Sequence, residues 1–559
     1  MIRKRTKFMA LVLSAALCIG MFAGCGKQNN ESGNETAAET NAAADTAAKE
    51  SGQDGEETAE NAQTPNPVTI KVLMSGDKPN DWDAVLEEFY NRTKDTLNIT
   101  FDWTWVPSAD YKDKLNVKMT AGEEYDLVFD APWMHLRTLA QDGIYADLSP
   151  YLNNDAYPGL KLAFPEDVMK YNKYSDINCA LPLFFNYGGQ NLVMYRQDWA
   201  KEWGIGTDGQ INSHDELKEY LEAVLANKPE VIPIALKNNR GFYHLFDAIT
   251  AEMKKDHIYQ GSLGKDIFFA FKLNDEETEV IATALPGDPA EYWEPFGGED
   301  FWKKKVEVSR EWNKYCEKDS LNQADPGALF QIGKAAAYID TVDAVPKFNA
   351  VLKTNAPEAE LGVYIHEDAA RNMEKGVYTA TVVASNCLCI PASSDKIDRT
   401  VSFLNWLFEN KENHDLFEYG IEGVHWEAIG DDQYKLPEGV SATTNYNPNG
   451  WNLTWNPNYY RFSADYTEYA LTYAQFSTDI TNYDTNSKIQ GHVFQSDPVK
   501  TEIAQCGAIL GEVLAPLNHG ILENPYQVFQ DTTAQLRDND VQKAIDEWVV
   551  QMNAFLQNK

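Results

Sequence analysis

The sequence predicts an α/β protein with more than one lobe, and three observations carry that prediction. Between Val68 and Phe129 apolar runs rich in β-branched residues alternate with helical stripes, the pattern of βαβ units and of a mostly parallel sheet covered on both faces. The chain has 559 residues, whereas single cores stop growing near ~250–300 residues and split into domains. Its residues are 43% hydrophobic and 12% aromatic, enough to bury cores. That excludes disorder as the overall class, and with it a collagen-like or small disulfide scaffold.

Taken in order, the first segment is not part of that fold. Arg3, Lys4, Arg5 and Lys7 form a basic start, Phe8 to Phe22 is almost wholly apolar or small, and the run ends in Ala23-Gly24-Cys25. This is the pattern of a signal peptide over residues 1–24, because the apolar stretch is shorter than the ~20 residues a membrane-spanning helix needs. Phe22-Ala23-Gly24-Cys25 resembles the bacterial lipobox, which implies that Cys25 is diacylated, palmitate-type, and becomes the mature N-terminus. Residues 26–66 contain no Val, Ile, Leu, Phe, Tyr or Trp and cannot bury enough surface to fold. With Cys25 they make a tether, residues 25–66, spanning roughly 35 Å on average.

The folded part begins with the strand-like run Val68 to Met74, a loop from Ser75 to Asp81, and a helical stripe of Trp82, Val85, Leu86 and Phe89. Asn98 to Val106 reads as a second strand, Leu115 and Met119 sit on a second helix, and Tyr125 to Phe129 reads as a third strand. Further along, Ser213 and Glu216 form a capping box before the helix of Leu217, Leu221 and Val224. Strand-like Tyr378 to Ile390 precedes an amphipathic helix carrying Val401, Leu404, Leu407 and Phe408. Near the C-terminus, Ile545, Trp548, Val549, Met552 and Phe555 form a last apolar stripe.

The charge balance narrows the function. With 48 basic against 85 acidic residues, a net of −37, the chain would be repelled by the phosphates that dominate nucleic-acid affinity, so nucleic acid is not an expected partner. Beyond Cys18 and Cys25 five cysteines remain, scattered at 179, 316, 387, 389 and 506; an odd number without nearby His ligands reads as buried thiols rather than a disulfide framework or a metal site. Catalytic motifs are near misses. Gly327 to Gly333-Lys334 has the wrong spacing for a phosphate loop, His366-Glu367 lacks the second His of a zinc protease helix, and no G-x-S-x-G elbow occurs. Neither an enzyme nor a cofactor is expected.

A family resemblance becomes visible along the middle of the chain. Thr120 to Val128, Leu139 to Gly143 and Ala146 to Leu152, followed by Asn191 to Trp199, Phe330 to Tyr338 and Ile390 to Ser394, resemble in content and order the family 1 extracellular solute-binding proteins of sugar ABC importers. Tyr419 to Trp426 resembles the large LplA/LipO-like lipoprotein subgroup associated with complex oligosaccharides. The resemblance implies a two-lobed periplasmic-binding-protein-like fold of type II, with the ligand in the cleft between lobes. On that pattern residues 67–185 and 361–428 build lobe one, and residues 186–360 and 429–559 build lobe two and the hinge helices. It also implies a monomer on the extracytoplasmic face of the bacterial cell membrane, held there by lipid alone and working with ABC permease subunits and their ATPase.

Aromatic placement points to the ligand. Trp133, Tyr187, Trp293, Trp426, Trp451 and Trp455 all lie in polar, turn-rich segments, where binding residues concentrate. A sugar ring offers a C–H face to an aromatic platform and hydroxyls to polar side chains. Asp130, three residues before Trp133 at the end of a strand, is the first such acceptor; Asp77, Asn186, Asp340 and Glu422 complete the candidate set. The expected ligand is a carbohydrate, an oligosaccharide by the resemblance. A binding protein for a peptide or cationic metabolite is the second reading and a tethered glycan-cleaving enzyme the third, since abundant carboxylates supply any spacing by chance.

Overall fold

The structure, a computed structural model, describes residues 64–559 apart from 190, 238–240, 243–244, 246–253, 255, 289–298, 442–443 and 447–449. The described residues belong to one compact unit spanning Gln63–Lys559. The signal peptide, residues 25–63 of the tether with Cys25, and Trp293 lie outside the described residues.

The first sheet is built where the alternation predicts it. Strands β1 (Val68–Ser75), β2 (Ile99–Val106) and β3 (Leu127–Asp130) run parallel, with β1 between the other two. The sheet continues through β11 (Asn386–Cys389) to β4 (Ala180–Leu183), β11 pairing antiparallel with both neighbours. Ile70, Val72 and Met74 are fully buried, as are Val85 and Phe89 on the helix Trp82–Thr93 that covers them. Only Asn386–Cys389 of the strand-like stretch Tyr378 to Ile390 pairs in the sheet; the preceding residues cross between sheets.

Two of the motifs that suggested the family meet at the sheet's edge. Asp126 accepts from the Lys71 backbone N–H at 2.8 Å, from the Ser394 hydroxyl at 2.7 Å and from the Lys396 ammonium at 3.0 Å. A carboxylate with charge-assisted partners at this depth pins the returning segment after β11 to the amino-terminal strands.

The second sheet has the order β10-β5-β9, with β5 (Leu192–Arg196) antiparallel to both β9 (Ala337–Asp340) and β10 (Leu361–Ile365). All its strand pairs are antiparallel, and the segment Ile232 to Ala235 adds parallel bridges to Ala335 and Tyr338. Ser213 does cap the helix His214–Asn227, its hydroxyl accepting from the Glu216 N–H at 3.1 Å, and Leu217, Tyr220, Leu221 and Val224 are buried beneath it.

Two segments sit elsewhere than the boundaries drawn from the resemblance. Strand β10, placed with lobe one by a boundary at 361, belongs to the second sheet. Tyr446, Leu453 and Tyr459, placed with lobe two, are buried in the first core. Both follow from pairing between residues far apart in the chain, which local periodicity does not encode.

A third core lies beside these two sheets. Strands β6 (Ile258–Gly264), β7 (Ile267–Leu273) and β8 (Val280–Ala284) form an antiparallel meander. Against it pack the helices Lys500–Asn518 and Val541–Gln557. Trp548 meets Phe269 edge-on at 5.0 Å and Phe271 at 4.7 Å, so the C-terminal stripe is core. The five cysteines among the described residues are unpaired and four are buried, Cys316 being half-buried; burial pushes the Cys387 and Cys389 thiols well up, which keeps them inert.

Truncating Trp548 to Ala leaves a cavity among aromatic rings, a change that typically costs about 3–5 kcal/mol. Urea denaturation of Trp548→Ala is expected to show a loss of that size, with the helices of the third core melting first by hydrogen exchange; a midpoint equal to wild type would mean that the meander and the helices do not share one core.

Candidate functional site

The lobes are joined by chain segments that cross between the sheets, and backbone hydrogen bonds tie these crossings together. Residues 184–191 run from β4 to β5 and residues 366–385 from β10 to β11. The Tyr187 N–H donates to the Ser477 carbonyl at 2.9 Å, and the Tyr187 carbonyl accepts from Thr381 at 2.6 Å. Tyr378 and Ala380 bracket Asp484, whose N–H donates to Tyr378 at 2.8 Å and whose carbonyl accepts from Ala380 at 2.9 Å. Three strands of chain, from different parts of the sequence, are thus held in register at one place.

On the first-sheet side, β1 and β3 end at Ser75 and Asp130, the edge where open α/β sheets bind ligands. Trp133 stands there with 55% of its surface exposed, its indole N–H directed at Asn386 Oδ1 at 3.4 Å. Asn386 starts β11 and is half-buried. Trp451 lies edge-on to Phe129 at 4.8 Å, and the next residue, Asn452, donates to the Ser75 carbonyl at 2.7 Å. Trp455 packs against both the first and second cores, with Phe185 at 5.4 Å, and its carbonyl accepts from Phe184 at 3.1 Å. Trp451 and Trp455 are half-buried, and Trp455 lies where the two cores approach.

Asp130 does not take the role that its position suggested. It is fully buried and accepts from the Tyr145 hydroxyl at 2.7 Å and from the Ala131 and His135 N–H groups at 2.7 and 3.3 Å. Burial pushes its carboxyl up to about 6 in spite of those donors. It shapes the turn that presents Trp133 and has no free face for a hydroxyl. Trp426 is a second correction: only 3% exposed, it donates to the Gly420 carbonyl at 3.0 Å and lies under the Arg461 guanidinium at 5.1 Å. It is a packing residue, since a large aromatic with its one polar group satisfied gains most by leaving water.

Of the remaining candidates, Asp77 and Glu422 are exposed. Asp340 ends β9 and is already bonded to the Lys237 ammonium at 2.7 Å and the Thr341 N–H at 3.0 Å. Asn186 and Tyr187 are half-buried on the first crossing. Trp455 therefore lies where the first and second cores meet and Asn186 and Tyr187 on the first crossing, whereas Trp133 and Trp451 stand at the end of the first sheet.

Beside the crossings the structure forms a cavity of about 150 Å³. Gly188 and Gly189 form one wall, Tyr378, Thr379 and Thr381 a second, and Tyr473, Phe476 and Tyr483 a third, with Lys254 at its edge. The Tyr483 hydroxyl donates to the Gly188 carbonyl at 2.5 Å, and a Cβ on Gly188 would meet the Tyr483 ring at 2.4 Å. Glycine is required here by close approach alone. Sequence reasoning flagged Tyr187 beside the glycines but not these rings. The aromatic-rich stretch Tyr466 to Tyr483 was the available signal, and its helical part reads as ordinary core. Among the described residues no group of three His, Cys, Asp or Glu side chains is arranged to hold a metal ion, and no helix is long and apolar enough to cross a membrane.

Comparison with known proteins agrees with this architecture. The model of the family described as bacterial extracellular solute-binding protein matches residues 75–414, and a domain of unknown function matches residues 488–557, the latter covering much of the third core. A carbohydrate ABC transporter substrate-binding protein of Streptococcus pneumoniae serotype 4 is 22% identical over 504 residues, 88% of this chain and 91% of its own. Lipoprotein LipO of Bacillus subtilis is 26% identical over 237 residues, 41% of this chain and 38% of its own. Among solved structures, the N-glycan transport solute-binding protein NgtS of Streptococcus pneumoniae superposes with a TM-score of 0.67 at 20% identity, covering 88% of this chain and 100% of that one.

The raised Asp130 carboxyl has a measurable consequence. Folding raises its pKa from 3.8 to about 6, so the folded state binds the extra proton between those values. Its contribution is fully present below pH ~4 and is lost as pH rises through ~6. In Asp130→Asn that pH-dependent loss is removed: relative to the variant, wild type is expected to lose about 1–3 kcal/mol between pH 4 and pH 7. Parallel denaturation curves at the two pH values check it, and a constant difference would place the Asp130 carboxyl near its ordinary value.

Proposed function

The chain belongs to the bacterial extracellular solute-binding protein family, and from that premise we propose that it is the substrate-binding lipoprotein of an ABC importer. It captures an oligosaccharide between its lobes and delivers it to the membrane permease. The observation that carries this reading is Trp133, exposed after the end of a strand with its N–H directed at Asn386, while the half-buried Trp451 packs on that strand and Trp455 lies between the first and second cores. A flat apolar face presented by a fixed indole, beside amides and backbone at a sheet edge, matches a sugar ring, which pairs a C–H face with a rim of hydroxyls. The named sugar transport relatives in Streptococcus pneumoniae support the same ligand class.

Capture in this arrangement is a binding event without covalent chemistry. The lobes close about the crossings at Tyr187 and Ala380, and the closed state gains only through contacts made to ligand by both sides at once. Residues 67–185 with the β11 region form the lobe that presents Trp133. The second sheet supplies the opposing wall, and Trp455, which touches both cores, lies between. Ahead of the fold, Cys25 carries the lipid and the tether after it sets the reach from the membrane, as the similarity to lipoprotein LipO supports.

Stacking of one sugar ring on Trp133 should contribute on the order of 1.5–3 kcal/mol, about ten- to a hundredfold in affinity. Trp133→Ala is expected to weaken oligosaccharide binding by that factor in a calorimetric titration while leaving Tm nearly unchanged, because the side chain is more than half exposed. A lowered Tm with unaltered affinity would instead assign Trp133 to packing.

The anchor is tested separately. Cys25→Ala is expected to yield a folded protein recovered in the aqueous phase on detergent partition, where the wild type follows the detergent; retention of the variant in the detergent phase would disprove lipid attachment at Cys25.

A further inference from the structure

The third core is joined unequally to the two lobes. On the side of the second sheet it is built in. The helix Lys500–Asn518 ends in a turn whose Asn518 carbonyl accepts from the Phe242 N–H at 2.9 Å. His519 follows, fully buried, its carbonyl accepting from Asn313 Nδ2 at 2.8 Å and its ring bonded to the Ser320 hydroxyl at 2.7 Å. Gly520 then lies so close to the chain of lobe two that a Cβ there would meet the Ser309 carbonyl oxygen at 1.9 Å. Phe242 and Tyr315, which flank this turn's partners, are buried with Val193 and Tyr195 of the second sheet.

Toward the first sheet the contact is of another kind. Arg137, on the short helix Leu136–Gln141, donates through Nη1 to the Phe494 carbonyl at 2.9 Å. Beside it the Tyr171 ring covers Gly491 so closely that a Cβ there would meet the ring at 2.4 Å. The Lys559 ammonium lies 5.8 Å from the same ring while it gathers the carbonyls of Ser487, Lys488 and Gln490 at 2.8, 3.0 and 2.9 Å. This surface is left incomplete, since Arg137 Nε and His492 Nε2 are both buried without a hydrogen-bond partner. A buried polar atom without a partner costs free energy that exposure to water recovers. Parting the surface is therefore opposed by a charge-assisted bond and a ring contact and favoured by rehydration of two nitrogens.

We propose that the third core is a strut that travels with lobe two and is clasped to lobe one at Arg137 and Tyr171, where it limits how far the lobes turn about their crossings. That the lobes turn rests on the reading of the chain as a binding protein; which bodies the strut joins rests on these bonds alone. The clasp lies near the axis. Gln490 donates to the Ala380 carbonyl of the second crossing at 2.9 Å, and the four residues from there to Phe494 span at most ~14 Å. With so short a lever a small rotation displaces the Arg137–Phe494 pair little, whereas a large one carries it out of hydrogen-bond range. A contact of this kind fixes the resting angle between the lobes and sets a threshold for leaving it. It gives a role to residues 488–557, which the solute-binding family match over residues 75–414 does not include.

Distances between paired spin labels test the strut. Lys94 on lobe one, Glu219 on lobe two and Glu512 on the third core are exposed. They are replaced by cysteine two at a time in a Cys25→Ala, Cys316→Ser chain and read by pulsed electron spin resonance without ligand. Arg137→Met is expected to shift and broaden the distance between positions 94 and 512 while leaving that between 219 and 512 as it was. Gly491→Ala, which wedges the Tyr171 ring from the other side of the clasp, is expected to do the same and carries the test if Arg137→Met does not fold. A 94–512 distribution unchanged in a folded variant, or a 219–512 distance that moves with it, overturns the proposal. Adding oligosaccharides forms a separate arm, read on the 94–219 pair. Clasp variants that broaden in a chain that no glycan closes retain the strut and refute the transport reading, whereas glycan-induced closure with variants identical to wild type does the reverse.

Discussion

The junction at Tyr187 is the constraint on which the rest of the molecule depends. One peptide unit there is bonded on both sides, its N–H to Ser477 and its carbonyl to Thr381, so segments nearly 200 and 300 residues away are fixed against the first crossing. Backbone hydrogen bonds fix position without fixing torsion at every neighbour, which is what the proposed lobe closure requires of a hinge: an axis that stays in place while φ and ψ on either side absorb rotation. Gly188 and Gly189 follow immediately, and the Tyr483 ring fills the space that a side chain on Gly188 would take. A bulkier residue would push apart the strands that define the axis.

Rigid bodies on either side are needed for such a hinge to transmit anything, and buried polar groups supply part of that rigidity. The Tyr111 hydroxyl lies 3.0 Å from the Leu73 carbonyl and 2.8 Å from that of Phe129, joining β1 and β3 from beneath. In the segment that brings Trp451 and Trp455 to the junction, Arg461 donates to the buried Asp415 at 2.7 Å and to the Asp431 carbonyl at 2.9 Å. His414 bonds the Thr454 carbonyl at 2.9 Å. Breaking one member of a buried pair leaves an uncompensated charge, at a cost of about 3–5 kcal/mol. The loop carrying the tryptophans is thus held as firmly as an element of secondary structure, which a platform for a ring requires.

What the sequence made legible was local or repeated. The helix of Leu217, Leu221 and Val224, the strands at Val68 and Ile99, and the core stripe around Trp548 follow from periodicity and capping, and each is where the spacing put it. The family resemblance reached further because its motifs mark tertiary contacts: Asp126 and Ser394, 268 residues apart, prove to be hydrogen-bonded to each other. Registry between distant segments was not legible. Nothing in Leu361 to Ile365 says that it pairs with β5 rather than returning to the first sheet, and nothing in Tyr446 to Tyr459 says which core receives it. The third core escaped for the same reason, its meander and its helices being separated by more than 200 residues.

The site residues divide along a physical line that composition cannot draw. Trp133 and Trp426 both follow turns in polar segments, yet one is exposed and the other sealed, and the difference lies in what lies opposite each ring. Trp426 has a guanidinium above its face and a carbonyl for its N–H, so every interaction available to it is satisfied inside the chain. Trp133 has its N–H fixed and its surface left open. Asp130 repeats the contrast among charged groups, since three donors of the fold surround its carboxyl and leave it no free face. An interaction left incomplete by the fold is what distinguishes a binding group from a structural one of the same type. By that criterion the proposed ligand-facing set shifts from the carboxylates that the sequence suggested toward the indoles at the sheet edge.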